Sequence, residues 1–151
     1  MSYSAIGLDN PKNGLNVGAV MRAAMCYRAS AVFAGGPRIR KIRNISTTDT
    51  MKAHRHLPLI MVDDVSFVDP YNCEKVAVDL VDGAKSLVDF KHPKRAFYIF
   101  GPEDGTLGAR VLDKCQHKIS IPTVRCMNLA ATVNVVLYDR LLKENHNGAT
   151  A

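Results

Sequence analysis

Six short apolar or β-branched runs punctuate the chain: Tyr3 to Leu8, Ala31 to Ala34, Leu59 to Val62, Val76 to Leu80, Ala96 to Phe100 and His117 to Ile121. Helical or irregular stretches separate them. Strands that are apolar on both faces suit a sheet whose two sides are covered. The alternation predicts an α/β fold, a mostly parallel sheet with helices on both faces. A chain of 151 residues holds one such core, so a single domain is expected over residues 1–151, with 144–151 as a frayed tail. There is no internal repeat, low-complexity tract or linker.

No stretch approaches the ~18 consecutive apolar residues of a membrane span. The first residues, Met1 to Ile6, lack the basic segment and long apolar segment of a secretory leader, so a soluble, cytoplasmic protein without a membrane role is expected. Cys26, Cys73, Cys115 and Cys126 never fall two to four residues apart, which gives no zinc-ligand pair and no redox pair. They are expected to be buried, reduced thiols. His54 and His56 flank Arg55, an unattractive arrangement for a cation, so no metal site is expected.

Charge is distributed unevenly. Residues 1–60 carry 9 Lys and Arg against 2 Asp and Glu, whereas residues 61–151 carry 11 against 12, so the net charge of +6 arises entirely in the first part. Arg38, Arg40, Lys41 and Arg43 crowd into six positions there. Such local positive density selects polyphosphate partners and marks these four side chains as candidate RNA contacts.

Two helices are readable. Asn16 is a candidate N-cap, followed by Val17, Val20, Met21, Ala24 and Met25 at the spacing of a buried face. Arg22 falls off that stripe, one turn after Gly18, where its guanidinium would lean toward the helix N-terminus and favour an anion such as a phosphate. The last helix, Leu129 to Lys143, has one apolar stripe of Leu129, Val133, Val136, Leu137 and Leu141 and a second of Val135, Tyr138 and Leu142. Two stripes are too wide for one core contact: such a helix is either sandwiched inside a larger protein or covered by a partner chain, and in a chain of this size a homo-oligomer is expected.

The chain has no GxxxxGK[ST] segment and no GxGxxG after its first strand, which argues against a P-loop or a dinucleotide-binding domain. Three other segments carry the glycines and polar residues of a site. Asn10-Pro-Lys-Asn-Gly-Leu-Asn-Val-Gly-Ala-Val-Met-Arg22 precedes and opens the first helix. Phe100-Gly-Pro-Glu-Asp-Gly-Thr-Leu107 follows a strand, at the place where open α/β sheets bind ligands. Ile119-Ser-Ile-Pro-Thr-Val-Arg-Cys-Met-Asn-Leu129 joins the last strand to the last helix, with Asn128 as its expected N-cap.

In this order and spacing, from Asn10 to Asp139, the three segments resemble the motifs of the SpoU branch of the SPOUT class of RNA methyltransferases. The matching features are Asn16-x-Gly18 with Arg22 four residues on, Gly101-x-Glu103 with Gly105 and Leu107 nearby, and Ile121-Pro122 before Asn128-Leu129. The small single domain is most similar to the subgroup that methylates the wobble ribose of the tRNA anticodon. The resemblance implies a C-terminal trefoil knot, which no pattern argument predicts because knots are nearly absent among folds. It also implies a dimer, S-adenosylmethionine as cofactor, and methyl transfer to a ribose 2′-hydroxyl of RNA, with tRNA favoured.

By the same resemblance Arg22, Asn16, Glu103 and Asn128 are the candidate catalytic set. Glu103 would order the motif loops or contact Arg22. Val78, Asp79, Leu80, Gly101, Ile121, Cys126, Met127 and Leu129 would hold the cofactor. The chain departs from the family at Cys126, where Ser is usual, and a thiol is the weaker hydrogen-bond donor. That departure keeps open a non-catalytic RNA-binding protein on the same fold; a methyltransferase acting on a base nitrogen is the other alternative.

Overall fold

The computed structural model describes residues 2–43, 45 and 52–149. Seven strands form one parallel sheet: β1 (Tyr3–Asp9), β2 (Val32–Gly35), β3 (Leu59–Val62), β4 (Glu74–Val78), β5 (Lys85–Ser86), β6 (Arg95–Phe100) and β7 (His117–Ser120). Their order is β3-β2-β1-β6-β4-β7-β5. All six predicted strands are present, β3 with the predicted ends and the others with ends shifted by at most two residues. β5 is new; two polar residues carry no apolar signature.

Alternate residues of the strands enter two cores. On one face Ile6, Leu8, Val76, Val78, Tyr98 and Phe100 pack with α1 (Gly14–Cys26) and α3 (Leu129–Ala149). On the other, Ala5, Ala77, Phe97 and Ile99 pack with Val65, Leu107 and Val111. Cover on this second face comes from the four-residue α2 (Ala109–Leu112) and a 3-10 turn at Val65–Phe67, so helical cover is much thinner there.

α1 begins three residues earlier than its sequence suggests. Its N-cap is Asn13, not Asn16: the Asn13 side chain accepts the Asn16 backbone N–H at 2.9 Å. A Cβ at Gly14 would fall 1.6 Å from the Arg43 carbonyl oxygen, so only glycine admits the basic segment this close to the helix start. Val17, Val20, Met21 and Ala24 are fully buried, as their spacing predicts.

The last helix runs past Glu144. It continues through Ala149, because no breaker precedes Gly148 and Glu144 is held by Arg140 at 2.9 Å and by Ser2 Oγ at 2.6 Å. Residues 150 and 151 lie outside the described residues. Of the first stripe, Leu129, Val133, Val136 and Leu137 are buried while Leu141 is exposed; in the second, Tyr138 and Leu142 are exposed.

At the amino ends of the strands, α3 is bolted to the sheet through buried polar groups. Arg140 donates to Pro93 O (2.7 Å), Lys94 O (2.9 Å) and Tyr98 Oη (3.0 Å). His92 Nδ1 lies 2.6 Å from Tyr98 Oη and Nε2 lies 2.7 Å from Asp139 Oδ2. The Asp139 carboxylate can only accept, so a neutral His92 carries its proton on Nε2 and donates it there, and Nδ1 accepts from the Tyr98 hydroxyl. Burial holds the His92 pKa below its ordinary 6.5, against the opposing pull of Asp139. Burial likewise pushes the Tyr98 phenol up to about 12.

Candidate active site

The carboxyl ends of β4, β6 and β7 open onto one cleft. Val78, Asp79 and Leu80 form its wall from β4, and Phe100, Gly101, Pro102, Glu103 and Gly105 the wall from β6. The segment after β7 closes it with Ser120, Ile121, Thr123, Cys126, Met127, Leu129 and Thr132. Every residue expected to hold a cofactor therefore faces a shared cleft, although 51 positions separate Val78 from Leu129 in the chain. Ser120, Thr123 and Thr132 were not anticipated. Thr132 stands one turn after Asn128 and donates its hydroxyl to the Asn128 carbonyl at 2.9 Å, a helical spacing that would have revealed it.

Asp79 organises the rim. One carboxylate oxygen accepts the Leu80 N–H at 2.7 Å and the other the Leu107 N–H at 2.6 Å. A Cβ at Gly101 would sit 3.3 Å from both Asp79 Oδ2 and the Leu107 backbone nitrogen, tighter than side chains normally pack. Gly101 thus lets the loop after β6 pass against the end of β4. The Asp79 N–H in turn reaches the Ile119 carbonyl of β7 at 3.0 Å, so all three strand ends are tied together.

Beside the cleft, three of the four expected catalytic residues form a chain of hydrogen bonds. Asn128 Nδ2 donates to Asn16 Oδ1 (3.2 Å), and Asn16 Nδ2 donates to Glu103 Oε1 (2.8 Å). Glu103 Oε2 accepts the Lys12 N–H at 2.8 Å. Asn128 is also the N-cap of α3, its Oδ1 accepting from Ala130 N at 2.9 Å and Ala131 N at 3.3 Å. Because Asn13 performs the capping at α1, the Asn16 side chain is available for this network. Glu103 thereby bridges the loop after β6 to the segment that opens α1.

Arg22, the fourth, is exposed and lines a groove between the helices with Ala19, Ala23 and Cys26 of α1 and Ala130 and Asn134 of α3. The basic segment divides. Arg38 is half-buried, and its guanidinium grips Asp104 with bonds of 2.8 and 3.0 Å while also donating to the Asn10 carbonyl. The Asp104 bond raises the Arg38 pKa, and the same bond holds Asp104 below the ordinary carboxylate range. Arg40, Lys41 and Arg43 are exposed. The expectation of buried cysteines is not met: all four are free thiols, with Cys26 and Cys126 exposed and Cys73 and Cys115 half-buried. Cys26 ends a helix and Cys126 sits in the irregular crossing before α3, where neither position faces a core. Among the described residues there is no cluster of three or more metal-ligating side chains and no helix long and apolar enough to cross a membrane.

A parallel sheet with a glycine-bearing cleft beyond its strands' carboxyl ends defines an α/β protein built to bind a small ligand there. The chain belongs to the SpoU rRNA Methylase family, whose pattern it matches over residues 4–138. Among solved structures it is similar to the SpoU methyltransferase AviRb from Streptomyces viridochromogenes, at 17% identity and a TM-score of 0.81, over 96% of this chain and 61% of that one. An AdoMet-bound rRNA methyltransferase from Sinorhizobium meliloti gives 18% identity and a TM-score of 0.81, over 95% of this chain and 57% of that one. This chain thus spans about three fifths of the length of those two proteins. A structure described for 2-OH methylation of C/U34 on tRNA gives 21% identity and a TM-score of 0.78, over 96% of this chain and 98% of that one. None of the curated proteins matches the sequence.

Proposed function

We propose that this protein uses S-adenosylmethionine to methylate a ribose 2′-hydroxyl of RNA, with tRNA as the favoured substrate. The observation that carries the reading is the cleft joining the ends of β4, β6 and β7, with the Asn16–Glu103–Asn128 network at its side. Support for the cofactor comes from the AdoMet-bound relative, and support for a tRNA ribose from the C/U34 methylation structure, 98% of which this chain covers.

The residues fit the cofactor by chemistry. Backbone at Leu80, Gly101 and Ile121 offers donors and acceptors to an adenine and a ribose, and Val78, Phe100 and Leu129 give the cleft an apolar lining. When bound, S-adenosylmethionine supplies a methyl group on a positively charged sulfur. The protein's part is to position the hydroxyl and to stabilise charge on its oxygen as its proton leaves. Arg22 serves as a fixed cation and not as a base, since a guanidinium stays protonated in proteins. A unit charge ~4 Å from the developing alkoxide, at an effective dielectric of ~20, supplies roughly 4 kcal/mol, or about three decades of rate. The proton passes to an adjacent RNA phosphate. Asn16 fixes the substrate backbone, Glu103 holds Asn16, and Asn128 holds the cofactor loop. Exposed Arg40, Lys41 and Arg43 attract the RNA.

The reading includes a homodimer in the cytoplasm. Exposed Tyr138, Leu141 and Leu142 on α3 supply an apolar face for a second copy. It also includes the knot. β7 lies between β4 and β5, so the 79–84 connection crosses from one side of β7 to the other, a strand order that a threaded C-terminal segment requires.

One experiment tests the function. The protein is incubated with methyl-labelled S-adenosylmethionine and unfractionated RNA, and the product is digested and mapped by mass spectrometry. The expected mark is on ribose. A mark on a base nitrogen overturns the ribose assignment, and RNA binding without cofactor binding at millimolar concentration leaves a non-catalytic RNA-binding protein.

A further inference from the structure

The loop after β6 carries two adjacent acids that reach in different directions. Glu103 extends to the start of α1 and holds Lys12 N and Asn16 Nδ2. Asp104 extends to the loop after β2 and holds both terminal nitrogens of Arg38. Arg38 is anchored in its turn. Its backbone N–H donates to Asn10 Oδ1 at 3.1 Å, and its guanidinium donates to the Asn10 carbonyl. Asn10 adopts a left-handed φ of 51° and bonds to Gly35 O, and Gly36, at φ 113°, leaves no room for a side chain against it. The result is a rigid corner at the ends of β1 and β2, from which a forked guanidinium reaches out to Asp104.

Two features set this pair apart from an ordinary surface salt bridge. It is bidentate, the geometry in which an Arg–carboxylate pair fixes orientation as well as distance. It also withholds a cation: Arg38 belongs to the basic segment that faces RNA, yet its terminal nitrogens are directed to Asp104 and Asn10, and its Nε is buried without a partner. An RNA phosphate reaching Arg38 would have to displace Asp104.

We propose that Asp104 is a positioning residue for methyl transfer: through Arg38 it fixes the loop that carries Glu103, and through Glu103 it fixes the Asn16 amide beside the cleft. The proposal rests on the RNA methyltransferase reading. It makes two predictions of opposite sign. Loss of the Asp104 charge loosens Glu103 and slows turnover, and it also frees Arg38 for phosphate, so RNA affinity holds or rises. A residue that only supports the fold does not separate the two, and one that contacts RNA lowers both.

The test compares the wild type with Asp104→Asn, using unfractionated tRNA, labelled S-adenosylmethionine and a salt series. For Asp104→Asn the expected result is a kcat lower by about tenfold, since small misplacements cost rate steeply. RNA affinity should be unchanged or up to about threefold tighter, with a log-log salt slope steeper by up to about one ion. Cofactor affinity stays within twofold of wild type. Arg38→Lys, which keeps the charge and gives up the fork, should lower kcat similarly, and thermal unfolding confirms that both variants are folded. A kcat within twofold of wild type in Asp104→Asn, or RNA affinity falling in parallel with kcat, overturns the positioning role. Wild-type protein that transfers no methyl to RNA overturns the function reading instead, and the proposal with it.

Discussion

The two ends of the sheet use polar side chains under different constraints. At the amino ends, Arg140 is buried and the His92 side chain is only 3% exposed, and their donors are aimed at fixed carbonyls, a phenol and a carboxylate. At the carboxyl ends, Asn16 is half-buried, Glu103 lines an open cleft with Asn128 exposed beside it, and Asp79 accepts backbone N–H groups of Leu80 and Leu107. One end bolts α3 to the sheet; the other holds loops in place while leaving surfaces free for a ligand. The difference predicts that substitutions at the first end act on stability, whereas those at the second act on turnover and binding.

The largest effect expected at the open end is that of Arg22→Ala. If the guanidinium stabilises the alkoxide, single-turnover methyl transfer falls by roughly three decades, with the unfolding midpoint unchanged. Activity within a few-fold of wild type would mean that Arg22 has no electrostatic role in the reaction. At the closed end the corresponding change is Arg140→Met, which leaves the Pro93 carbonyl without its donor and removes one bond each from Tyr98 Oη and the Lys94 carbonyl. A hydrogen bond from a charged donor contributes about 1.5–3 kcal/mol, so a loss of roughly 3 kcal/mol or more is expected in urea unfolding. A folded Arg140→Met protein should still bind cofactor at the far cleft; loss of binding without loss of stability would break the division between the two ends.

How much of this was legible in the sequence follows the same division. The strands could be read because each is apolar at successive positions, and the buried stripe of α1 because Val17, Val20, Met21 and Ala24 repeat at helical spacing. β5 could not be, since Lys85 and Ser86 pair with β7 by backbone alone. Local signals also misplaced the cap of α1, because Asn13 and Asn16 are equally good capping residues and only the Glu103 bond shows which is otherwise engaged. Residues of the cleft were identified by family likeness, yet their links were not. Asn16 meets Glu103 and Asn128 across 87 and 112 positions, contacts that periodicity does not encode. Arg38 read as one of four equivalent cations, but the structure pairs it with an acid 66 positions away. The bolt of His92, Tyr98, Asp139 and Arg140 escaped notice altogether, since a lone histidine and an i, i+1 charge pair carry no pattern.

A smaller effect sharpens the closed end by pH. His92 is held below its ordinary pKa of 6.5, so the unfolded chain binds a proton that the folded protein resists. Stability therefore falls as the pH drops through about 6.5 toward the folded-state value, and it is fully present above that range. In His92→Gln this part of the slope disappears, and the difference between the two stability curves isolates it from other titrating groups. Equal slopes for the two proteins would show that His92 binds its proton as readily folded as unfolded, so that burial does not lower its pKa.

The smallest effect tests whether the open end depends on backbone or side chains. Cys126 is exposed, lines the cleft, and stands where the family resemblance leads one to expect Ser. Exchanging Sγ for a hydroxyl shortens the reach slightly and supplies a stronger donor. If the loop before Asn128 contributes through its main chain, Cys126→Ser leaves cofactor affinity and turnover within about threefold of wild type, under 1 kcal/mol, or improves both by a similar amount. A loss of about tenfold or more, over 1.4 kcal/mol, would assign the thiol a contact that a hydroxyl cannot make. The open end would then contain a side chain as closely fitted as those around Arg140. Isothermal titration with S-adenosylmethionine alone separates the two outcomes, because it reads the cleft without requiring that the RNA be identified.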